Sequence, residues 1–257
     1  MIRVGMQMIQ LPVNTICYRV VRQCNLSCPF CQTIPDDKEL SFSEHQQVLK
    51  LLYSTGINSV KFTGGEPYTN EHFNDLIDFS KKLGMEVTVC TNSTILRKKD
   101  FDVLRKNNCK LKISLHGLKG IHNKLTNSHT EKRVTKNIIM AAKMNIPTSI
   151  HFMLTRFNLD IIDDLFLFAI KNNIWKITII PFVNRGRGQN LKWGLQPKKL
   201  MEIMAAKKKK YGKYLKVSFL DLFKKPYYVV ETDGILYTQF ELEAMDKKIY
   251  DLRHHII

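Results

Sequence analysis

No run of about 18 consecutive apolar residues occurs in this 257-residue chain, so no segment reads as a membrane-spanning helix. Glycine and proline are sparse, at 12 and 8 residues, which excludes collagen-like and low-complexity classes. Acidic side chains are few: 23 Asp and Glu stand against 40 Lys and Arg, a formal net charge of +17. No cysteine follows Cys109. The stretch from Met1 to Pro12 holds one Arg and lacks the apolar core and small-residue cleavage site of a secretory signal, so the chain reads as cytoplasmic.

The remaining composition is that of a folded globule. Hydrophobic residues make up 44 % and charged residues 25 % of the chain, enough apolar surface to offset the entropy of ordering it. The length suits one large domain or two small ones. The charge surplus favours anionic partners such as nucleotides, phosphates, nucleic acid or an acidic peptide. A lysine-rich composition that serves solubility accounts for it equally well. The basic residues are scattered except for Lys207 to Lys210, at the end of a predicted helix, where the helix dipole favours cations. The cysteines are Cys17, Cys24, Cys28, Cys31, Cys90 and Cys109, expected as thiols in the cytoplasm. Three of them fall within eight residues.

Short β-branched or apolar runs alternate with amphipathic ones. Strands are predicted at Thr15–Val21, Ser59–Thr63, Glu86–Cys90, Leu111–His116, Thr148–Leu154 and Lys176–Pro181. Helical spacing of 3.6 residues links Phe73, Leu76, Ile77 and Ser80, then Val134, Ile138, Ala141 and Ala142, then Ile162, Phe166, Ala169 and Ile170. Ser43, Asn70 and Asn158 are candidate helix caps. Six strand–helix units predict a parallel sheet with helices packed outside. Strands buried on both faces read as continuous apolar runs, and three of these do not. One face of the third carries Glu86, Thr88, Cys90 and Asn92, one face of the fourth Lys112, Ser114 and His116, and one face of the fifth Ser149, His151, Met153 and Thr155. A polar face on a covered strand predicts a curved, barrel-like sheet around a lined cavity. Lys112 and Glu86 stand at strand beginnings, where solvent is also in reach. After Pro181 a Gly/Arg-rich loop (184–190), a helix (198–213) and strands at Tyr214–Leu220, Tyr227–Glu231 and Ile235–Phe240 are predicted, the last two joined around Asp233-Gly234.

Cys24-Asn25-Leu26-Ser27-Cys28-Pro29-Phe30-Cys31 follows the first of these strands, on a loop at its C-terminal edge, where α/β enzymes place their sites. Structural zinc sites take four ligands, commonly in paired knuckles, and no second pair is present. A [4Fe–4S] cluster takes four ligands as well, so three from the protein leave one iron open. One strand–helix unit later, Phe62-Thr63-Gly64-Gly65-Glu66-Pro67 offers two glycines for close backbone approach to a ligand and a carboxylate placed to hold an ammonium group.

With these motifs in place, residues 14–190 resemble the radical S-adenosylmethionine (SAM) superfamily, in the branch that includes molybdenum-cofactor cyclases and peptide-modifying enzymes. The resemblance rests on the Cys24/Cys28/Cys31 motif, Gly64 to Pro67, Thr91-Asn92, Ile113 to Gly117, Asn158, and Pro181 to Arg187. It implies an α/β fold, a partial (β/α)6 TIM-like barrel, followed by a small α+β extension over 191–257. It implies one [4Fe–4S] cluster on Cys24, Cys28 and Cys31, with SAM chelated to the open iron and cleaved to a 5′-deoxyadenosyl radical that takes a substrate hydrogen atom. Gly64, Gly65 and Glu66 would contact the methionyl amine, Asn92 and Ser114 its carboxylate or the ribose, and Phe30, Asn158 and Phe182 the adenosine, with Arg185 or Arg187 adding charge. The segment from Val229 to Tyr237 resembles the hairpin that opens a SPASM or twitch extension, but without cysteines it holds no auxiliary cluster.

Cys90 is the candidate catalytic residue, a thiol able to return a hydrogen atom to a substrate radical; a small buried core residue is its other reading. His116 and His151 are candidate proton carriers or core histidines. Lys61, Thr63 and Arg19 are candidates for holding an anionic substrate. Cys17 and Cys109 read as structural. The expected substrate is a ribosomally made peptide, epimerised or closed by a new bond, with a small anionic metabolite such as a nucleotide or sugar as the alternative, and the expected electron donor is a protein such as flavodoxin or ferredoxin. No membrane partner is expected. A zinc or nucleic-acid-binding module is the rival class, and it leaves the Gly-Gly-Glu-Pro loop and the polar strand faces unexplained.

Overall fold

Seven strands running the same way form the centre of the fold. The structure is a computed structural model. It describes the backbone of residues 2–4, 7–9, 11–220, 227–239 and 246–255, and the side chains of 11–220, 227–239 and 246–253. The elements in chain order are β1 (Ile2–Val4), β2 (Gln7–Ile9), β3 (Thr15–Val21), α1 (Phe42–Ser54), β4 (Ser59–Gly64), α2 (Phe73–Lys82), β5 (Glu86–Thr91), α3 (Lys98–Lys106) and β6 (Lys110–Ser114). They continue as α4 (Ile121–Thr126), α5 (Glu131–Lys143), β7 (Thr148–Leu154), α6 (Ile162–Lys171), β8 (Lys176–Pro181), α7 (Pro197–Tyr211), β9 (Lys216–Phe219), β10 (Tyr227–Val230), β11 (Ile235–Gln239) and β12 (Lys247–Asp251).

The large sheet has the order β12-β11-β10-β3-β4-β5-β6-β7-β8-β9, and β1 and β2 form a separate antiparallel pair. All pairings from β3 to β9 are parallel, and β10 also runs parallel to β3. The six expected strands are present, three of them with the predicted limits. The strands expected as an extension join the same sheet: β9 continues it beyond β8, and β10 with β11 and β12 continues it beyond β3. Phe240, at the end of the predicted last strand, lies outside the described residues.

Alternation along each strand sorts the two faces. Ile16, Tyr18, Val60, Phe62, Val89, Ile113, Ile150 and Ile177 are fully buried beneath the helices. The helix faces predicted from spacing are the buried ones: Phe73, Leu76, Ile77 and Ser80 on α2, Val134, Ile138 and Ala141 on α5, Ile162, Phe166 and Ala169 on α6. Three capping expectations are corrected. Ser41, not Ser43, caps α1, in a capping box where Ser41 N donates to Glu44 Oε2 (2.7 Å) and Glu44 N to Ser41 Oγ (3.3 Å). Asn70 ends a 3₁₀ turn ahead of α2, and Asn158 lies ahead of α6, which begins at Ile162. Among the described residues no helix is long and apolar enough to cross a membrane.

Candidate active site

The loop after β3 carries the three clustered cysteines across the C-terminal ends of the strands. It is held by backbone contacts: Cys31 N donates to Cys28 O (3.2 Å), and Arg187 N donates to Cys31 O (2.9 Å). Gly186, at φ +57°, sits so close to this loop that a Cβ would lie 2.5 Å from Gln32 O. Cys24 Sγ accepts from Leu26 N at 3.4 Å and from Asn92 Nδ2 at 3.7 Å.

A cavity of about 280 Å³ opens under the loop. Cys24, Cys28, Cys31 and Phe30 line one side of it, Gly64, Gly65 and Asn92 another, and Thr63, Cys90, Ser114, His116, Met153 and Ile180 its depth. Of the strand faces predicted to be polar, Cys90, Asn92, Ser114, His116 and Met153 line this space. Burial, then the neighbouring Cys31 and Cys24, push the Cys28 thiol up to about 12, while Arg187 draws it down. Burial likewise raises Cys24, against the Leu26 N–H. Cys24 and Cys28 so placed resist ionising together unless a cationic centre joins them, which is the donor chemistry of a metal cluster. Among the described residues no three His, Cys, Asp or Glu side chains converge as ligands of a single metal ion. The donor set, three thiols on one eight-residue loop facing an open cavity, is the kind a [4Fe–4S] cluster takes.

The Gly-Gly-Glu loop is built differently from its sequence reading. A Cβ on Gly64 would lie 2.2 Å from Val21 O, and one on Gly65 2.1 Å from Gln23 O. The glycines thus let this loop press on the backbone leading into the cysteines, where Gly65 N donates to Val21 O (2.7 Å) and Glu66 N to Gln23 O (2.9 Å). Glu66 is fully buried. Its carboxylate accepts from Thr91 Oγ1 (2.6 Å), Asn92 N (2.7 Å) and Tyr68 N (3.4 Å), and burial raises it to about 7 despite those donors. It braces β4 to β5 and does not line the cavity.

Two other expected adenosine contacts lie behind the wall. Asn158 is fully buried, donating to His116 O (2.9 Å) and Met153 O (2.8 Å) and accepting from Thr155 N (2.8 Å). Phe182 packs on Gly188 and tilts against Trp193 at 6.2 Å, outside the cavity lining. Phe30 does line it and meets His116 edge-on at 5.0 Å and Trp193 at 6.1 Å. His116 is buried, and its Nδ1 accepts from Met153 N (3.2 Å). Arg19 lies beside Glu231 (3.5 Å) and donates to Gln239 (3.2 Å), with its Nε buried and unpartnered, and Arg185 pairs with Asp246. Cys17 is not merely structural in position: it stands level with Lys61, beside the lumen. Sequence reasoning missed Trp193 and the His122–Thr126 wall. One of only two tryptophans, set in a loop, was the available signal for the first.

The model of the Radical SAM superfamily matches residues 18–169. The chain is 31 % identical over 173 residues to a probable GTP 3′,8-cyclase of Sulfurisphaera tokodaii, covering 65 % of this chain and 55 % of that protein. It is 32 % identical over 197 residues to the GTP 3′,8-cyclase of Clostridium perfringens, covering 73 % and 60 %. The matches thus span little more than half the length of these relatives. Among solved structures it resembles Streptococcus suis SuiB bound to the precursor peptide SuiA, with a TM-score of 0.80 and 16 % identity over 93 % of this chain and 62 % of that one. The match runs from the first barrel strand through α6, across the cysteine loop and the Gly-Gly-Glu-Pro turn, and on this ground the chain belongs to the radical SAM superfamily of [4Fe–4S]- and SAM-dependent enzymes.

Proposed function

We propose that this chain cleaves SAM reductively at a [4Fe–4S] cluster held by Cys24, Cys28 and Cys31 and takes a hydrogen atom from a substrate in the barrel lumen. The observation that carries this reading is the convergence of the three thiols with Cys90, Asn92 and Ser114 on one cavity. Cluster and SAM, when bound, supply a 5′-deoxyadenosyl radical. The protein's part is to seat and orient SAM and to exclude competing reactions. Gly64 and Gly65 expose backbone to the cavity, Asn92 and Ser114 offer hydrogen-bonding groups to SAM, and Phe30 offers a ring to the adenosine. Phe182 and Asn158 back these contacts from behind. A donor such as flavodoxin or ferredoxin supplies the electron.

The substrate we favour is a small anionic metabolite, because Lys61, Lys112 and Lys176 share the strand face that carries Cys90 and Ser114, with Lys112 level with Cys90. The likeness to GTP 3′,8-cyclases supports this class. A peptide is the second reading, supported by the fold shared with an enzyme solved on its precursor peptide. There Cys90 Sγ–H gives its hydrogen atom to the substrate radical, and the resulting thiyl takes an electron and a proton to return to the thiol.

Anaerobically reconstituted protein given SAM and a strong reductant should form 5′-deoxyadenosine, and Cys28→Ala should not. Nucleotides and peptides screened in heavy water then separate the two substrate readings, with Cys90→Ala losing deuterium transfer only if the thiol is the donor. A colourless protein that holds zinc and no iron overturns the proposal.

A further inference from the structure

The lower lumen concentrates charge of one sign. Lys61 on β4, Lys112 on β6 and Lys176 on β8 alternate with the buried outward residues, on the face that carries Thr63, Ser114 and Thr178. Register sets Cys90 level with Lys112, Lys112 with Ser149, and Ser149 with Lys176. All three lysines are part-buried. None of them forms an ion pair among the described residues. Their fields overlap: Lys176 is held below its ordinary value by burial, then Lys112, Lys216 and Lys61. His151, between them, is pushed down to about 3 by burial and by Lys112, Lys176 and Lys61.

A second observation is independent of charge. Thr178, at 6 % exposure, has an Oγ1 with no hydrogen-bond partner. A buried hydroxyl of this kind calls for a bound partner. Like-charged ammonium groups gathered without carboxylates call for an anion, and one that carries several charges. A further cavity of about 700 Å³, lined by Cys17, Lys61 and Tyr227, lies at the strand beginnings and gives a charged tail room to extend.

We propose that this floor is a phosphate-binding subsite, in which Lys61, Lys112, Lys176 and the Thr178 hydroxyl receive the phosphate or polyphosphate of a small-molecule substrate. The inference rests on the radical SAM reading for the chemistry above it. Lys112 and Ser114 are two positions apart on β6, roughly 7 Å at about 3.3 Å per residue, so the subsite lies one strand repeat from Ser114 and level with Cys90.

The test uses tripolyphosphate and calorimetry on the anaerobically reconstituted protein. Saturable binding is expected, weakened at least about tenfold by Lys112→Gln and by Lys176→Gln and weakened by added salt. The double variant Lys208→Gln/Lys209→Gln, on the exposed end of α7, should bind as wild type. On wild-type protein, acetylation mapped by mass spectrometry should show tripolyphosphate protecting Lys61, Lys112 and Lys176 but not Lys208. Equal binding by the lumen variants, or no protection of the three lysines, overturns the subsite. Formation of 5′-deoxyadenosine is measured separately. A protein that forms it without binding tripolyphosphate in the lumen loses the subsite alone, and one that binds but never forms it loses the radical SAM reading alone.

Discussion

Gly65→Ala tests what the glycine pair is for. The new Cβ would stand 2.1 Å from Gln23 O and 2.5 Å from Arg22 O. Both atoms are backbone, so no rotamer change relieves the overlap. Against an optimum non-bonded separation near 3.5 Å, the two segments must part by roughly 1 Å. That opens the bonds from Gly65 N to Val21 O and from Glu66 N to Gln23 O. At about 1 kcal/mol net for each bond, with a similar loss where the Glu66 carboxylate loosens from Thr91 and Asn92, the cost is about 3 kcal/mol. For a chain of this size the melting midpoint falls by about 6–12 °C. The drop should appear in protein without iron or SAM, because the contact is between two backbone segments. Reconstituted iron content should fall too, since the displaced backbone leads directly into Cys24. Gly56→Ala is the control: it too has a positive φ, +93°, but nothing lies within 4 Å of its Cβ. It should cost only the left-handed strain of about 1–2 kcal/mol and leave iron content alone. A Gly65→Ala protein with the wild-type midpoint and full iron would refute the brace and return the glycines to a ligand-contact role.

Asn158→Ala removes a donor from two carbonyls and an acceptor from Thr155 N–H, all buried, so urea unfolding should show a loss of about 3–4 kcal/mol. His45 is held down to about 4 by burial and faces the Tyr18 hydroxyl at 2.8 Å. The unfolded chain binds this proton more readily, so the stability from keeping His45 neutral is complete above about pH 6.5 and is lost as pH falls toward 4, by about 3 kcal/mol. Urea midpoints at pH 7 and pH 4.5 should show this fall, and His45→Gln should make it shallower by His45's share; an unchanged slope counts against the assignment.

Much of the barrel was legible because its signals are local. Thr15–Val21, Thr148–Leu154 and Lys176–Pro181 are short β-branched runs bounded by polar turns, and the structure keeps those limits. The buried faces of α2, α5 and α6 follow from spacing alone. What escaped was decided by pairing across the chain. Nothing near Lys216–Phe219 says that it docks beside β8, or near Tyr227–Val230 that it runs parallel to β3. β12 gives no strand signal of its own, because its lysines mask a five-residue edge strand.

The site divides along the same line. Cys24, Cys28 and Cys31 are legible because three thiols crowded on one short loop suit little besides a soft metal centre. Glu66 and Asn158 were not, because a polar residue at a strand end looks alike whether it faces a ligand or holds backbone. Contacts 25 and 42 residues away decide it, through Thr91 and His116. The cations show why that distinction matters for function. Arg19 and Arg22 meet Glu231 at the end of β10, and Arg185 meets Asp246 ahead of β12. The planar guanidinium suits such fixed carboxylate pairs, while lysine is a mobile point charge. The residues around the last strands thus pair Arg19, Arg22 and Arg185, while Lys61, Lys112 and Lys176 stay without a described carboxylate. An anionic substrate held by those three lysines would sit level with Cys90, where the candidate hydrogen donor stands.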